Sequence, residues 1–98
     1  MEVTYHLPLH EVPAAIPELV QALREQKLKA RHEKKSWGDW LHLESFKTVI
    51  STESLRGLTR SVTVEFAEGE SEELELRIIS AFRSLGWYGI DEDGEYRL

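Results

Sequence analysis

The chain contains no cysteine. That absence excludes a disulfide framework, thiolate zinc sites, iron–sulfur clusters and a cysteine nucleophile, so a metal would have to be held by histidines and carboxylates. Long apolar runs are also missing. None approaches the ~18 residues of a membrane-spanning helix, and Met1-Glu2-Val3-Thr4-Tyr5-His6 lacks the basic leader and apolar core of a signal peptide. The expectation is a cytoplasmic protein with no membrane association. Gly and Pro number only 6 and 3, and neither an internal repeat nor a phosphate-cradling glycine loop is visible. With 41% hydrophobic and 31% charged residues in 98, the chain suits a single α+β domain over residues 1–98, with enough apolar material for one core.

Basic residues are outnumbered, 12 against 18, for a net charge of −6. Such a balance disfavours loose attraction to nucleic acid or anionic lipid. The charges are nonetheless segregated: Arg24 to Lys35 holds six bases against two acids, and Glu65 to Glu75 holds six acids and no base.

Val3, Tyr5, Leu7 and Leu9 alternate with polar residues or proline, the period of a strand with one buried face, and Pro8 ends or exposes it; a strand is predicted over 2–7. Ile16, Leu19, Val20 and Leu23 recur at helical spacing, with a start between Ala14 and Pro17 that keeps the proline in the first turn. No Gly or Pro follows until Gly38, so helix could continue to about Lys35, with Arg24, Lys27, Arg31 and Lys34 near its apolar stripe. Residues 40–52 and 61–67 read as antiparallel strands, the first as one bent strand or two, joined by a loop that carries Leu55 and Leu58. The second helix has Ser71 as cap, acids in its first turn, Leu74, Ile78, Ala81, Phe82 and Leu85 on one stripe, and Gly86 as its stop. Asp93-Gly94 then marks a C-terminal hairpin. The order strand, helix, strand, strand, helix, strand predicts a split βαβ, ferredoxin-like arrangement: two helices on one face of a mainly antiparallel sheet of four to five strands. Such a fold names no function.

Reactive constellations are scarce. His6 and His10 would stand about 13 Å apart on an extended strand, and neither His32-Glu33 nor His42-x-Glu44 has the spacing of a zinc hydrolase. Asp91, Asp93 and Glu95 begin like a calcium loop, but its twelfth-position glutamate would fall beyond Leu98. No serine sits in a nucleophile elbow. No catalytic residue, metal or cofactor is therefore assigned, although an open sheet face with His42, Glu44 and His6 is kept as a candidate ligand or enzyme site.

Two other readings remain. Arg31, Lys34, Lys35, Trp37 and Trp40 interleave bases with aromatics, as a nucleic-acid-binding patch requires, but the favoured account is that the two tryptophans seal the core while the bases are solvated. Leu55, Leu58, Leu76 and Ile79 fall off the predicted buried faces; together with the segregated charge they point to a noncatalytic interaction or regulatory module that self-associates as a homodimer. That last reading leads.

Overall fold

Alternation along β1 (Glu2–His6) turns Val3 and Tyr5 to one face of a sheet and Thr4 and His6 to the other. β1 is central in that sheet. On one side it pairs with β7 (Ser61–Glu65), which sets Tyr5 opposite Val62 and Val3 opposite Val64; on the other it pairs with β8 (Tyr88–Asp91). The computed structural model describes residues 1–98. Its remaining strands are β2 (Ala14–Ala15), β3 (Ala30–Lys35), β4 (Gly38–Leu43), β5 (Val49–Thr52), β6 (Leu58–Thr59) and β9 (Gly94–Arg97), with helices α1 (Ile16–Glu25) and α2 (Glu72–Ser84).

The main sheet has seven strands in the order β3-β4-β5-β7-β1-β8-β9, and β2 pairs with β6 apart from it. This overturns the ferredoxin-like sheet of four to five strands. Three local events widen it. The basic stretch after α1 is strand β3 rather than continued helix; residues 40–52 lie in two strands, β4 and β5, separated by a turn in which Ser45 takes φ 72°; and the Asp93-Gly94 hairpin adds β9 as a second edge.

Why α1 stops at Glu25 is visible in its last turn. The Lys27 N–H donates to the Arg24 carbonyl and the Leu28 N–H to the Leu23 carbonyl, with Lys27 at φ 63°. This is a Schellman closure in which lysine occupies the left-handed position that glycine usually takes. Leu28 is buried by the reversal and anchors it. Lys27→Gly removes the Cβ clash of that conformation, offset in part by a more flexible unfolded chain, and should raise stability by about 0.5–1 kcal/mol in urea denaturation. A loss of stability would mean that the lysine side chain contributes something its exposed position does not show.

α2 has the ends its sequence predicts. Ser71 Oγ accepts from the Leu74 N–H at 3.3 Å. At the other end Gly86 N–H meets Arg83 O and Trp87 N–H meets Phe82 O, which folds the Trp87 ring back onto Phe82 at 5.1 Å. Tyr5 stacks on Phe82 at 5.3 Å. Burial pushes the Tyr5 hydroxyl well up from its usual range, and the neighbouring Glu75 and Tyr96 add to this. Leu19 and Leu23 of α1 and Leu74 and Ile78 of α2 pack on Leu41, Ile50, Val62 and Val64 in one apolar cluster. The opposite face of the sheet carries no helix and is the surface on which Trp40 and His42 stand. No helix is long and apolar enough to cross a membrane.

Candidate functional site

The turn Ser36-Trp37 joins β3 to β4, and the register Lys35↔Gly38, Glu33↔Trp40, Arg31↔His42 assigns each side chain to a face. Arg31, Glu33, Lys35, Trp40 and His42 stand on the open face. His32 and Lys34 point to the helix side, along with Asp39 and Leu41. The basic segment is therefore divided by the two-residue period of a strand.

On the open face these groups hold one another. The Lys35 ammonium lies 4.7 Å from the centroid of the Trp40 ring and 3.0 Å from Glu33 Oε2. His42 Nε2 donates to Glu33 Oε1 at 2.8 Å. The hydrogen bond from His42, followed by that from Lys35, holds the Glu33 carboxyl below its usual range. Trp37 stands edge-on to Trp40 at 5.9 Å, and Trp40 edge-on to His42 at 5.5 Å. The two tryptophans thus do not seal the core: Trp40 is half-buried on the open face and Trp37 projects from the turn.

Behind this cluster lies a second one, built on the buried Asp39. Asp39 Oδ1 accepts from His32 Nε2 at 2.5 Å, and its Oδ2 accepts from Ser54 Oγ. Burial pushes the Asp39 carboxyl up, but the hydrogen bonds from Ser54 and His32, with the charges of His32 and Lys34, outweigh it and leave it below its usual range. Serine, aspartate and histidine meet here in the wrong order for nucleophilic catalysis. The carboxylate sits between the other two, so the imidazole cannot take the serine proton, and a carboxylate this acidic is a poor base for the task. The trio instead pins the 53–55 segment to β4.

Trp37 forms a wall shared by two adjoining clefts. One, of about 300 Å³, is floored by Ser51 and Thr63 on the open face. The other, of about 570 Å³, lies towards Pro13, Leu55, Leu58 and Arg60. Its loops are tied together: the Arg60 guanidinium donates to Pro8 O at 3.1 Å and Glu11 O at 2.6 Å, and β2 pairs with β6 directly beneath. The hydroxyls of buried Thr52 and Thr59 meet under the same loop, where Thr59 donates its proton to Glu53 O at 2.9 Å. Trp37, Leu55 and Leu58 are 47%, 77% and 43% exposed on this framed surface, with exposed Leu9 and Val12 on the loop that Arg60 holds.

The structure thus brings together residues that the sequence presents in separate groups: Trp37 with Leu55 and Leu58. Leu76 stands on the solvent side of α2, Ile79 packs partly on the core, and neither lines the Trp37 clefts. The open-face histidine site does not assemble. His6 and His42 lie on strands three spacings apart, about 14 Å, and Glu44 falls beyond the end of β4, 3.8 Å from the Lys29 ammonium. His6 Nε2 comes within 2.8 Å of Glu95 Oε2 without the angle a hydrogen bond needs, so this is a contact of charges when His6 is protonated. No three histidines, aspartates or glutamates converge as metal ligands would. Sequence reading missed Asp39, Ser54, Pro13 and Arg60. Only Asp39 left a trace, as an acid inside an otherwise apolar and aromatic run. The chain matches no family model, no curated protein and no solved structure.

Proposed function

We propose that the chain is a noncatalytic interaction module that pairs with a second copy of itself through the end of the molecule bearing Trp37, Leu55 and Leu58. The observation that carries this reading is the clustering of these three exposed hydrophobic side chains around one cleft whose loops are held in place by Arg60 and by the Asp39–Ser54 bond. Scattered apolar exposure is ordinary, but a framed patch with a tryptophan at its centre has the composition of an interface hot spot. Its charges favour a copy of itself as the partner. Glu11 and Glu53 balance Arg56 and Arg60, so a second copy can approach the patch across a two-fold axis without net repulsion. In a body 35 × 31 × 23 Å across, a face offers roughly 700 Å² or more, close to the ~800 Å² per partner of a standard interface.

Light scattering coupled to size exclusion, at low and high salt, tests this. The expected result is a dimer that tolerates salt, is lost in Leu55→Asp/Leu58→Asp, and persists in Leu76→Asp. A monomer at every concentration, or a dimer broken by Leu76→Asp alone, overturns the reading. Nucleic acid is less well supported. A base stacked on Trp37 would find Lys35 near it, but Glu33 pairs with that lysine, Arg31 stands about 13 Å further along β3 and Lys34 is on the other face.

A further inference from the structure

We propose that the free edge of β3, together with the cleft between it and α1, receives an extended acidic segment of another protein as an added strand. The Glu44 N–H donates to the Lys29 carbonyl, which fixes the phase of the β3–β4 ladder: residues 31, 33 and 35 exchange bonds with β4, and the N–H and C=O groups of Ala30, His32 and Lys34 point away from the sheet. β3 is the last strand on its side, and no loop or side chain bonds those outward groups. They are a six-residue template for one more strand.

Two features say what kind of strand. Beside the edge on the helix side is a cleft of about 360 Å³ whose walls include Ile16, Pro17, Val20, Arg24 and His32. It contains no acid, because Glu18 and Glu25 face the other flank of α1, towards Ser84 and Leu85. A strand laid along β3 would place alternate side chains in this cleft, where apolar residues meet Val20 and Pro17. The side chains between them would stand on the open face beside Arg31 and Lys35. The fit is therefore to a segment that alternates apolar residues with aspartate or glutamate, bound as peptides are bound between a sheet edge and a helix.

The charges exclude the most economical alternative. Arg31, Lys34 and Lys35 against Glu33 give each β3 edge a formal charge of +2, so two-fold pairing of β3 on β3 sets like charge on like, while β3 on the β9 edge of the next copy is head-to-tail and does not close into a dimer. Nor can a second copy lend its own acidic stretch, since Glu65 is already in the interior strand β7 and Glu72 to Glu75 are helical. The same bases that guard the edge against self-pairing select an acidic partner.

The test titrates the full chain with a fluorescently labelled eight-residue peptide alternating glutamate and valine, and with its lysine–valine counterpart. Backbone amide exchange is followed by NMR. The acidic peptide should bind and the lysine peptide should not. Exchange at Ala30, His32 and Lys34 should slow while that along β9 is unchanged, and Arg31→Glu should weaken binding by about tenfold. Thermal melting of that variant, expected near wild type since the Arg31 side chain is exposed and makes no ion pair, separates lost binding from lost fold. Lys34→Pro, which removes one outward N–H and none of the ladder bonds, should also weaken it. No binding up to about 1 mM, binding indifferent to charge reversal, or unchanged exchange at the three amides overturns the proposal. The outcome is separable from self-pairing, because the Leu55→Asp/Leu58→Asp chain should bind the peptide as wild type does.

Discussion

Replacing Gly38 with alanine should cost about 3 kcal/mol or more, although it adds a single methyl group. A Cβ at that position would lie 2.1 Å from the Thr52 carbonyl oxygen and 3.1 Å from Glu53 Cα. The obstruction is backbone, and it cannot yield. Thr52 is held in β5 opposite Val62, and its hydroxyl donates to Ser61 O at 2.7 Å. The start of β4 must move instead, and with it the turn that aims Trp37 between its two clefts. Urea denaturation should show the loss of stability, and tryptophan fluorescence a changed environment in the folded state. Gly89→Ala is the informative comparison. Its Cβ would also come within 2.1 Å of another atom, but that atom is Tyr96 Cζ, at the end of an exposed side chain on an edge strand that can swing aside. If Gly38→Ala cost no more than Gly89→Ala, the close approach of β4 to Thr52 would not be what fixes the hairpin.

The legible parts of this fold are those in which local chemistry and tertiary packing agree. α2 has its cap at Ser71, its stripe through Phe82 and its glycine stop, and the alternation in β1 and β7 needs no context to be read. The unreadable part is the stretch from Arg24 to Lys35. Its lysines and arginines are good helix formers, its stop is a lysine in a glycine's conformation, and β3 is a strand because β4 pairs with it, not because Ala-Arg-His-Glu-Lys-Lys favours one. That helical reading also hides the edge proposed above as a docking site. Read as helix, Arg31 and Lys34 belong to one basic stripe; read as strand, Arg31 separates from Lys34, and an edge appears. Leu55 and Leu58 are legible as exposed leucines because they fall in a loop, off every predicted buried face. Their meeting with Trp37 depends on β2–β6 pairing and on Arg60, whose contacts span about half the chain and leave no local pattern.

Asp39→Asn should weaken the protein by about 2 kcal/mol at neutral pH, because a buried carboxylate accepting two hydrogen bonds is replaced by an amide that meets His32 and Ser54 with one acceptor fewer. The size of the loss should depend on pH, in a direction set by the carboxyl's depressed acidity. Folding holds Asp39 below its ordinary value of 3.8, so the ionised group contributes stability that is fully present above that value and is lost as pH falls through the lower, folded one. Wild type should therefore lose stability on acidification more steeply than Asp39→Asn, and the two curves should converge once Asp39 is protonated in the folded state. Glu33, held low by His42 and Lys35, titrates in both chains and drops out of the difference. Thermal melts of the pair from neutral pH down to about pH 2.5 measure the gap directly. A gap that stays constant would mean that Asp39 contributes through shape rather than charge. A gap that closes identifies it as the ionised clamp that holds Ser54, and with it the segment carrying Leu55, against the base of the Trp37 hairpin.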